Sequence, residues 1–331
     1  MPKAITYIDL FSGIGGFREG LSRAGDFVCV GHCEIDKYAD QSYRALFDTK
    51  GEWFREDVRE ADPDEMPDFD LLCGGFPCQS FSIAGHRGGF ADPRGTLFFE
   101  IARLTAAKRP AYLLLENVPG LLNHDGGRTF AAILHTLDGL GYGVEWQVLN
   151  SKDFGVPQSR KRVYLVGYLD EKCRGKILPF TETAGTPLKQ IRPGAQGERI
   201  YSPEGVSCTL TSQAGGMGGK TGLYALPCCV DLNESPEFTQ YARCLIAKQD
   251  GGIHHHKREA SGVWDGCRVR RLTPRECLRL QGWKDERIDL ILPLHSDTQL
   301  YKQAGNGVTV NVVEAIGKRL AALHREVTAI D

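Results

Sequence analysis

Between Ile5 and Tyr168 the chain alternates short, β-rich apolar runs with stretches whose apolar residues recur at helical spacing. That alternation predicts a mostly parallel sheet with crossover helices, an α/β fold. Ile5 to Phe11 reads as the first strand, and Phe27 to Cys33, Phe69 to Cys73 and Ala111 to Leu115 as further strands. Tyr142 to Leu149 with Val163 to Tyr168 reads as a closing strand pair. The intervening helices carry their own boundary signals. Phe17, Leu21 and Ala24 share one face of a helix that Gly25 ends. Thr96 is a cap for a helix carrying Leu97, Phe98, Ile101 and Leu104, which must stop before Pro110. Phe130 to Leu140 makes another.

The pattern changes after about residue 180. From Gly194 to Gly266 the chain is rich in Gly, Ser, Thr and Pro, with glycine clusters at Gly215 to Gly219 and Gly251-Gly252 and little helical periodicity. This predicts a second, smaller, loop-rich β domain. Within it, Cys208 to Gln213 and Cys244 to Gln249 resemble each other loosely, each preceding a glycine cluster. Helical pattern returns at Thr273-Pro274-Arg275-Glu276, where Thr is the cap, Pro the first helical residue and Glu the capping-box partner. Val308 to Leu323 forms a final amphipathic helix.

Length agrees with two domains, or one large domain with an insertion, because 331 residues is about twice the usual single-domain size. Hydrophobic residues at 41% and charged residues at 25% exclude a disordered or fibrous chain. The longest apolar runs, such as Leu290 to Leu294, fall far short of the roughly 20 residues of a membrane helix. The start, Met1-Pro2-Lys3, lacks the apolar region of a secretory signal, so a cytoplasmic protein is expected. Eleven cysteines without a repeating C-x-x-C pair indicate neither a disulfide framework nor a zinc cage. A net charge of −2 argues against non-specific coating of nucleic acid, so any such binding needs a localised basic surface.

Three segments carry candidate chemistry. Gly13-Ile14-Gly15-Gly16, between a strand and a helix, lets backbone approach a ligand, and Glu34 ends the next strand, where a carboxylate grips ribose hydroxyls. Arg18 stands at the third glycine position of G-x-G-x-x-G, which favours a nucleoside cofactor without pyrophosphate; a merely structural tight turn is the other reading. Gly74 to Ser82 follows a buried strand and places Cys78 at its carboxyl end, where α/β sheets bind ligands. Cys78 there is a nucleophile or a buried core residue. Glu116 ends another apolar strand, a costly place for a carboxylate without a partner. Three other features have plainer readings than metal, redox or phosphate chemistry, the histidine run as a solvated or DNA-facing loop. His254-His255-His256 lacks the spacing of a metal site, Cys228-Cys229 suits packing, and Gly85 to Gly89 suits a lid over the site.

In this order the segments resemble those of the bacterial DNA (cytosine-5)-methyltransferases, over almost the whole chain. Asp9 to Gly16 resembles the cofactor loop, Glu34 the ribose-binding acid and Asp57-Val58 the adenine contact. Gly75 to Gln79 resembles the catalytic loop, Glu116-Asn117-Val118 the acid strand and Gln158 to Arg162 the Q-x-R-x-R segment. Arg271 to Cys277 with Leu280-Gln281-Gly282 resembles the segment that organises the recognition domain, and Gln303 to Asn306 the last motif. Gly307 stands where Ser or Ala is frequent, and Trp283 where Phe is usual.

The resemblance implies a Rossmann-like, S-adenosylmethionine-dependent methyltransferase sheet with a smaller loop-rich β domain. Residues 1–183 with 303–331 would form the catalytic domain, and 184–302 the DNA target-recognition domain and hinge. Cys78, Glu116, Arg160 and Arg162 would be catalytic. Phe11, Gly13, Ile14, Gly15, Gly16, Glu34, Ile35, Asp57, Val58, Pro77, Leu97, Asn306 and Gly307 would hold the cofactor. Gln79, Ser80, Ser82, Arg87, Thr209, Leu210, Thr211, Gln213, Lys248, His254, Lys257 and Arg258 would meet DNA. No metal is implied.

The implied reaction explains these residue types. A Cys78 thiolate would add to cytosine C6, and C5 would then take the methyl group. Free cysteine is mostly protonated near neutrality, so Arg160 and Arg162 would act by raising the thiolate fraction and steadying the base. Glu116 would hold N3 and donate a proton. The target base must leave the duplex stack. The implied partner is double-stranded DNA, with no membrane, a monomeric enzyme, and a cognate restriction endonuclease acting separately. An RNA cytosine-5 methyltransferase on the same scaffold is the alternative, as is an inactive DNA-binding relative. The long segment from Pro187 to Arg268 favours duplex DNA, because reading base edges needs a dedicated surface.

Overall fold

The computed structural model describes residues 4–77, 97–180 and 273–328, with the backbone of seven short strands within residues 190–263. Cys78, Gln79, Ser80, Ser82, Arg87 and Thr96 lie outside the described residues, as do the expected DNA-facing positions from Thr209 to Arg258. The chain groups into two compact units. One comprises residues 1–149, 161–181 and 312–331, the other 150–160 and 182–311.

The first unit is built on a seven-stranded sheet. Its strands are β1 (Ile5–Leu10), β2 (Phe27–Cys33), β3 (Trp53–Arg55), β4 (Leu71–Gly75), β5 (Tyr112–Asn117) and β6 (Gly143–Asn150). A two-residue strand, β7 (Gln158–Ser159), precedes the last member, β8 (Lys161–Tyr168). The sheet order is β3-β2-β1-β4-β5-β8-β6. The strands from β3 to β5 pair in parallel, as the strand-helix alternation predicts, whereas β8 runs antiparallel to β5.

Four helices connect these strands: α1 (Gly16–Ala24), α2 (Lys37–Leu46), α3 (Leu97–Lys108) and α4 (Arg128–Gly139). In α1, Phe17 and Leu21 are buried, and Gly25 ends the helix with φ +83°. Asp36 caps α2 by accepting the N–H groups of Tyr38 and Ala39. The core joins Ile8, Leu10 and Leu72 to Ile101, Leu104, Leu113, Leu115 and Ile133, so helices α3 and α4 bury their apolar faces against the sheet.

Among the described residues the other α-helices are α5 (Pro274–Leu280), α6 (Asp285–Ile291), α7 (Asp297–Asn306) and α8 (Val310–Thr328). The capping box opening α5 forms as expected, with the Thr273 hydroxyl and Glu276 carboxylate each meeting the other's backbone. Most of α8 packs in the first unit, where Gly317 would bring a Cβ within 2.8 Å of the Ala24 side chain. No helix among the described residues is long and apolar enough to cross a membrane.

In the second unit, the Gln158–Ser159 strand pairs in parallel with Ser207–Cys208. Gln158 Nε2 donates to Leu280 O at 2.7 Å, and Arg160 Nη2 donates to the carbonyls of Gly305 and Gly307, each at 2.9 Å. Gln281 Nε2 donates to Ala304 O at 2.6 Å, and its Oε1 accepts the Thr309 hydroxyl at 3.0 Å. The ends of α5 and α7 are thereby fastened to each other and to the 158–160 segment.

Candidate active site

The β1 strand ends where Phe11 enters the left-handed region at φ +53°, one residue earlier than the apolar pattern indicates. A non-glycine residue there is uncommon and marks a chain held by its surroundings. Ser12 N–H then donates to Cys33 O, tying the loop to the end of β2. Gly13 and Gly15 follow at φ +56° and +86°, conformations that favour glycine.

Glu34, immediately after β2, closes this loop. Its Oε2 accepts Gly13 N–H at 2.7 Å and its Oε1 accepts Asp36 N–H at 2.7 Å. The side chain is largely buried, and that burial raises its pKa above the ordinary carboxylate value while the two N–H donors oppose the rise. The carboxylate thus bridges the glycine loop and the cap of α2.

Beside it lies a cavity of about 400 Å³ lined by Phe11, Cys33, Glu34, Ile35, Glu56, Asp57, Val58, Arg59, Pro77 and Leu97. Seven of the expected cofactor residues line it: Phe11, Glu34, Ile35, Asp57, Val58, Pro77 and Leu97. Gly13 contributes indirectly, through its N–H on Glu34. Ile14, Gly15 and Gly16 are not among the lining residues; Ile14 is buried and Gly15 packs against aromatic rings. Asn306 ends α7 and Gly307 presents its carbonyl to Arg160, both in the second unit.

Cys33, Glu56 and Arg59 are lining residues that the motifs did not indicate. Burial pushes the Cys33 thiol up to about 12, so it is an apolar wall rather than a reactive group. Arg59 could have been noticed from its spacing. It follows Asp57 by two residues, and both its backbone N–H and its guanidinium bind the Asp57 carboxylate. The Arg59 hydrogen bond lowers the Asp57 pKa, keeping that carboxylate an acceptor at the cavity wall.

The second cluster sits at the carboxyl ends of β4 and β5. Glu116 pairs across the sheet with Gly75 on one side and Tyr164 on the other. The Arg162 Nε lies 2.9 Å from Glu116 Oε1, with both side chains largely buried. Asn117 Nδ2 donates to Phe76 O at 2.8 Å, and Asn117 Oδ1 accepts Val118 N–H at 2.8 Å. Asn117 therefore pegs the backbone leaving β4 to the end of β5, just before Pro77 and Cys78.

These placements divide the two arginines. Arg162 meets Glu116 in the first unit, while Arg160, only 2% exposed, ties together backbone carbonyls of the second.

A family profile described as C-5 cytosine-specific DNA methylase matches residues 5–322. The chain is 42% identical over 317 residues to the Type II methyltransferase M.NgoBI of Neisseria gonorrhoeae, covering 94% of this chain and 91% of that protein. It is 39% identical to the Type II methyltransferase M.SsoII of Shigella sonnei, covering 95% of this chain and 79% of that protein. Among solved structures, the Entamoeba histolytica methyltransferase EhMeth superposes with a TM-score of 0.65 at 18% identity, covering 98% of this chain and 99% of that one. The last likeness concerns the fold, and agrees with a Rossmann-like methyltransferase sheet.

Proposed function

The chain belongs to the C-5 cytosine-specific DNA methylase family, and we propose that it methylates a flipped-out cytosine in a specific duplex sequence through a covalent bond between Cys78 and C6. Methylation of cytosine C5 in DNA is the activity of this enzyme. The observation that carries the mechanistic reading is Glu116, held by Arg162 at the end of β5 and paired with Gly75 on the strand that leads to Cys78.

The cavity suits an adenosyl group. Phe11, Ile35, Val58 and Leu97 offer apolar surface to a purine, Asp57 an acceptor for its exocyclic amine, and Glu34 a charged acceptor for ribose hydroxyls. S-adenosylmethionine supplies an electrophilic methyl group carried on a sulfonium. Among the lining residues Glu34, Glu56 and Asp57 outnumber the single cation Arg59, a balance that suits a cationic ligand.

At the other cluster Cys78, as thiolate, forms a bond from sulfur to C6. Glu116 donates a proton to N3 as electron density moves through the ring, and C5 becomes nucleophilic enough to take the methyl group. Loss of the C5 proton to a base then restores the C5–C6 double bond and expels the Cys78 thiolate, and N3 returns its proton to the Glu116 carboxylate. Arg162 orients Glu116, and Asn117 fixes the backbone ahead of Cys78 through Phe76. Arg160 acts as a positioning residue, holding together the segment that contains Gly305 and Gly307. Base flipping costs a few kcal/mol, met by contacts within the site.

Residues 1–183 with 303–331 would carry catalysis, and 184–302 the reading of sequence, within a cytoplasmic modification enzyme that acts as a monomer beside a separate restriction endonuclease. The test is Cys78→Ala, which should abolish methyl transfer and leave cofactor binding intact. Wild-type enzyme should form a denaturation-resistant adduct with DNA bearing 5-fluorocytosine, whose fluorine cannot leave as a proton does. Turnover by the alanine variant above about a hundredth of the wild-type rate, the low end of what a lost catalytic group costs, would refute the assignment.

A further inference from the structure

We propose that Arg18, clamped to Glu52, is a positioning residue for cofactor binding, because it fixes the spacing between the two N–H groups that hold Glu34. The proposal rests on the reading of the Glu34 cavity as the S-adenosylmethionine site. Arg18 occupies the place where a dinucleotide-binding loop carries its third glycine, so its side chain needs a use of its own.

The side chain reaches from the first turn of α1 to the segment after α2. Its Nη1 and Nη2 each donate to a Glu52 carboxylate oxygen at 2.7 Å, and Nη2 also donates to Asp48 O at 3.0 Å. The two side chains of the pair are only 11% and 13% exposed, so solvent screens this fork-to-fork contact weakly. The guanidinium carbon also lies 4.8 Å from the Phe47 ring centroid and 5.4 Å from that of Tyr43. Both rings belong to the end of α2 and its cap.

Those rings are the surface on which the glycine loop rests. A Cβ on Gly15 would come within 2.3 Å of Phe47, closer than side chains tolerate, and within a tight 3.0 Å of Tyr43. Tyr43 in turn stacks on buried His32 at 4.1 Å, which leaves it little freedom to retreat. The glycine loop is thus pressed against α2 by contact, and Arg18, lying near the same two rings, locks that contact.

Glu34 senses this spacing directly. One of its oxygens takes its N–H from Gly13, in the loop before α1, and the other from Asp36, the cap of α2. Both bonds keep their 2.7 Å length only while the loop and α2 hold a fixed separation. If α2 slides, one bond lengthens, the carboxylate rotates, and its remaining lone pairs no longer face ribose hydroxyls. Arg18 is not among the residues that line the cavity, so its effect should fall on cofactor affinity alone.

Arg18→Met keeps an apolar stem over the rings and removes the charge, whereas Glu52→Gln removes the partner with little change of shape. Titration calorimetry with S-adenosylhomocysteine, steady-state kinetics and thermal melting would be compared across both variants, the double variant and Arg18→Lys. Each single variant should weaken cofactor binding about tenfold, the effect of one lost interaction of typical coupling strength. The double variant should be no worse than the weaker single. Arg18→Lys should fall between wild type and Met. The KM for S-adenosylmethionine should rise in parallel, with kcat at saturation and the KM for DNA within twofold of wild type.

Lower melting temperatures with unchanged cofactor affinity would overturn the proposal, since that is what a purely structural clamp gives. If Arg18→Met does not fold, Glu52→Gln decides the matter by the same criteria. Glu34→Gln serves as the control. Weakened binding in that control with normal binding in the Arg18 and Glu52 variants would reject the clamp alone. Normal binding in the control would reject the cavity reading and the clamp together.

Discussion

Replacing Glu34 with glutamine removes a charge while keeping the length of the side chain. The wild-type carboxylate satisfies two backbone donors, Gly13 N–H and Asp36 N–H, each at 2.7 Å. An amide has a single acceptor oxygen, so one of these N–H groups must face the amide nitrogen, another donor. A hydrogen bond to a charged group contributes about 1.5–3 kcal/mol, and the ribose hydroxyls also lose a charged acceptor. The expected result is a loss of S-adenosylmethionine affinity of about 10- to 100-fold, with single-turnover transfer at saturating cofactor nearly unchanged. Calorimetry and rapid-quench methyl transfer separate the two effects. The pH dependence adds a sharper check. Burial raises the Glu34 pKa above the usual 4.5, so wild-type affinity should fall on acidification while pH is still above that value; the glutamine variant should lack this decline. Affinity within twofold of wild type, or an equal loss in the chemical step at saturation, would refute the role given to Glu34.

Two further perturbations address the catalytic cluster and the buried acid beneath the loop. Glu116→Gln should slow single-turnover transfer by about 10²–10⁴, and Arg162→Met should slow it in a way that is not additive with the first, because the pair at 2.9 Å acts as a unit; strictly additive losses would show that Arg162 works elsewhere. Asp9 is fully buried at the end of β1, and burial raises its pKa well above 3.8, with the Arg18 charge opposing the rise. Because the folded protein then holds a proton that the unfolded chain releases, stability falls as pH rises from about 4 towards the folded pKa, by at most about 1.4 kcal/mol per pH unit. Asp9→Asn lacks that titration, so its melting temperature relative to wild type should improve as pH rises above about 4, and parallel curves would disprove the linkage.

Much of the first unit was legible because its signals are local. The β2 strand from Phe27 to Cys33 agrees with its apolar run, and α1 ends at Gly25 as the helical spacing requires. Local signals also mark their own limits. The strand expected at Phe69 to Cys73 lies instead at Leu71–Gly75, because Asp70 N–H bonds back to Thr6 O and the ladder with β1 begins only at Leu71. The acid strand extends to Asn117, two residues beyond the apolar run, because Glu116 and Asn117 find partners in Arg162 and the Phe76 carbonyl. Helix α2 was not anticipated at all. Its buried positions include Ser42 and Tyr43, polar-looking in sequence, and its start depends on Asp36 acting as cap. The antiparallel insertion of β8 beside β5 is equally invisible to periodicity, which records what a strand buries and not which neighbour it chooses.

The same limit governs the catalytic motifs. Gln158, Arg160 and Arg162 form one regular spacing, and charge alone assigns both arginines to the thiol and the base. Burial separates them. Arg160 is only 2% exposed and spends two hydrogen bonds on the carbonyls of Gly305 and Gly307, an arrangement whose disruption would leave a buried cation, one buried carbonyl and one half-buried carbonyl poorly satisfied. Arg162 meets a carboxylate at the end of β5, where a proton donor or acceptor would face substrate. Removing Arg160 should therefore act first on folding, and removing Arg162 first on the chemical step. Spacing picks out both arginines; the partner at the end of each side chain supports the separate roles proposed for them.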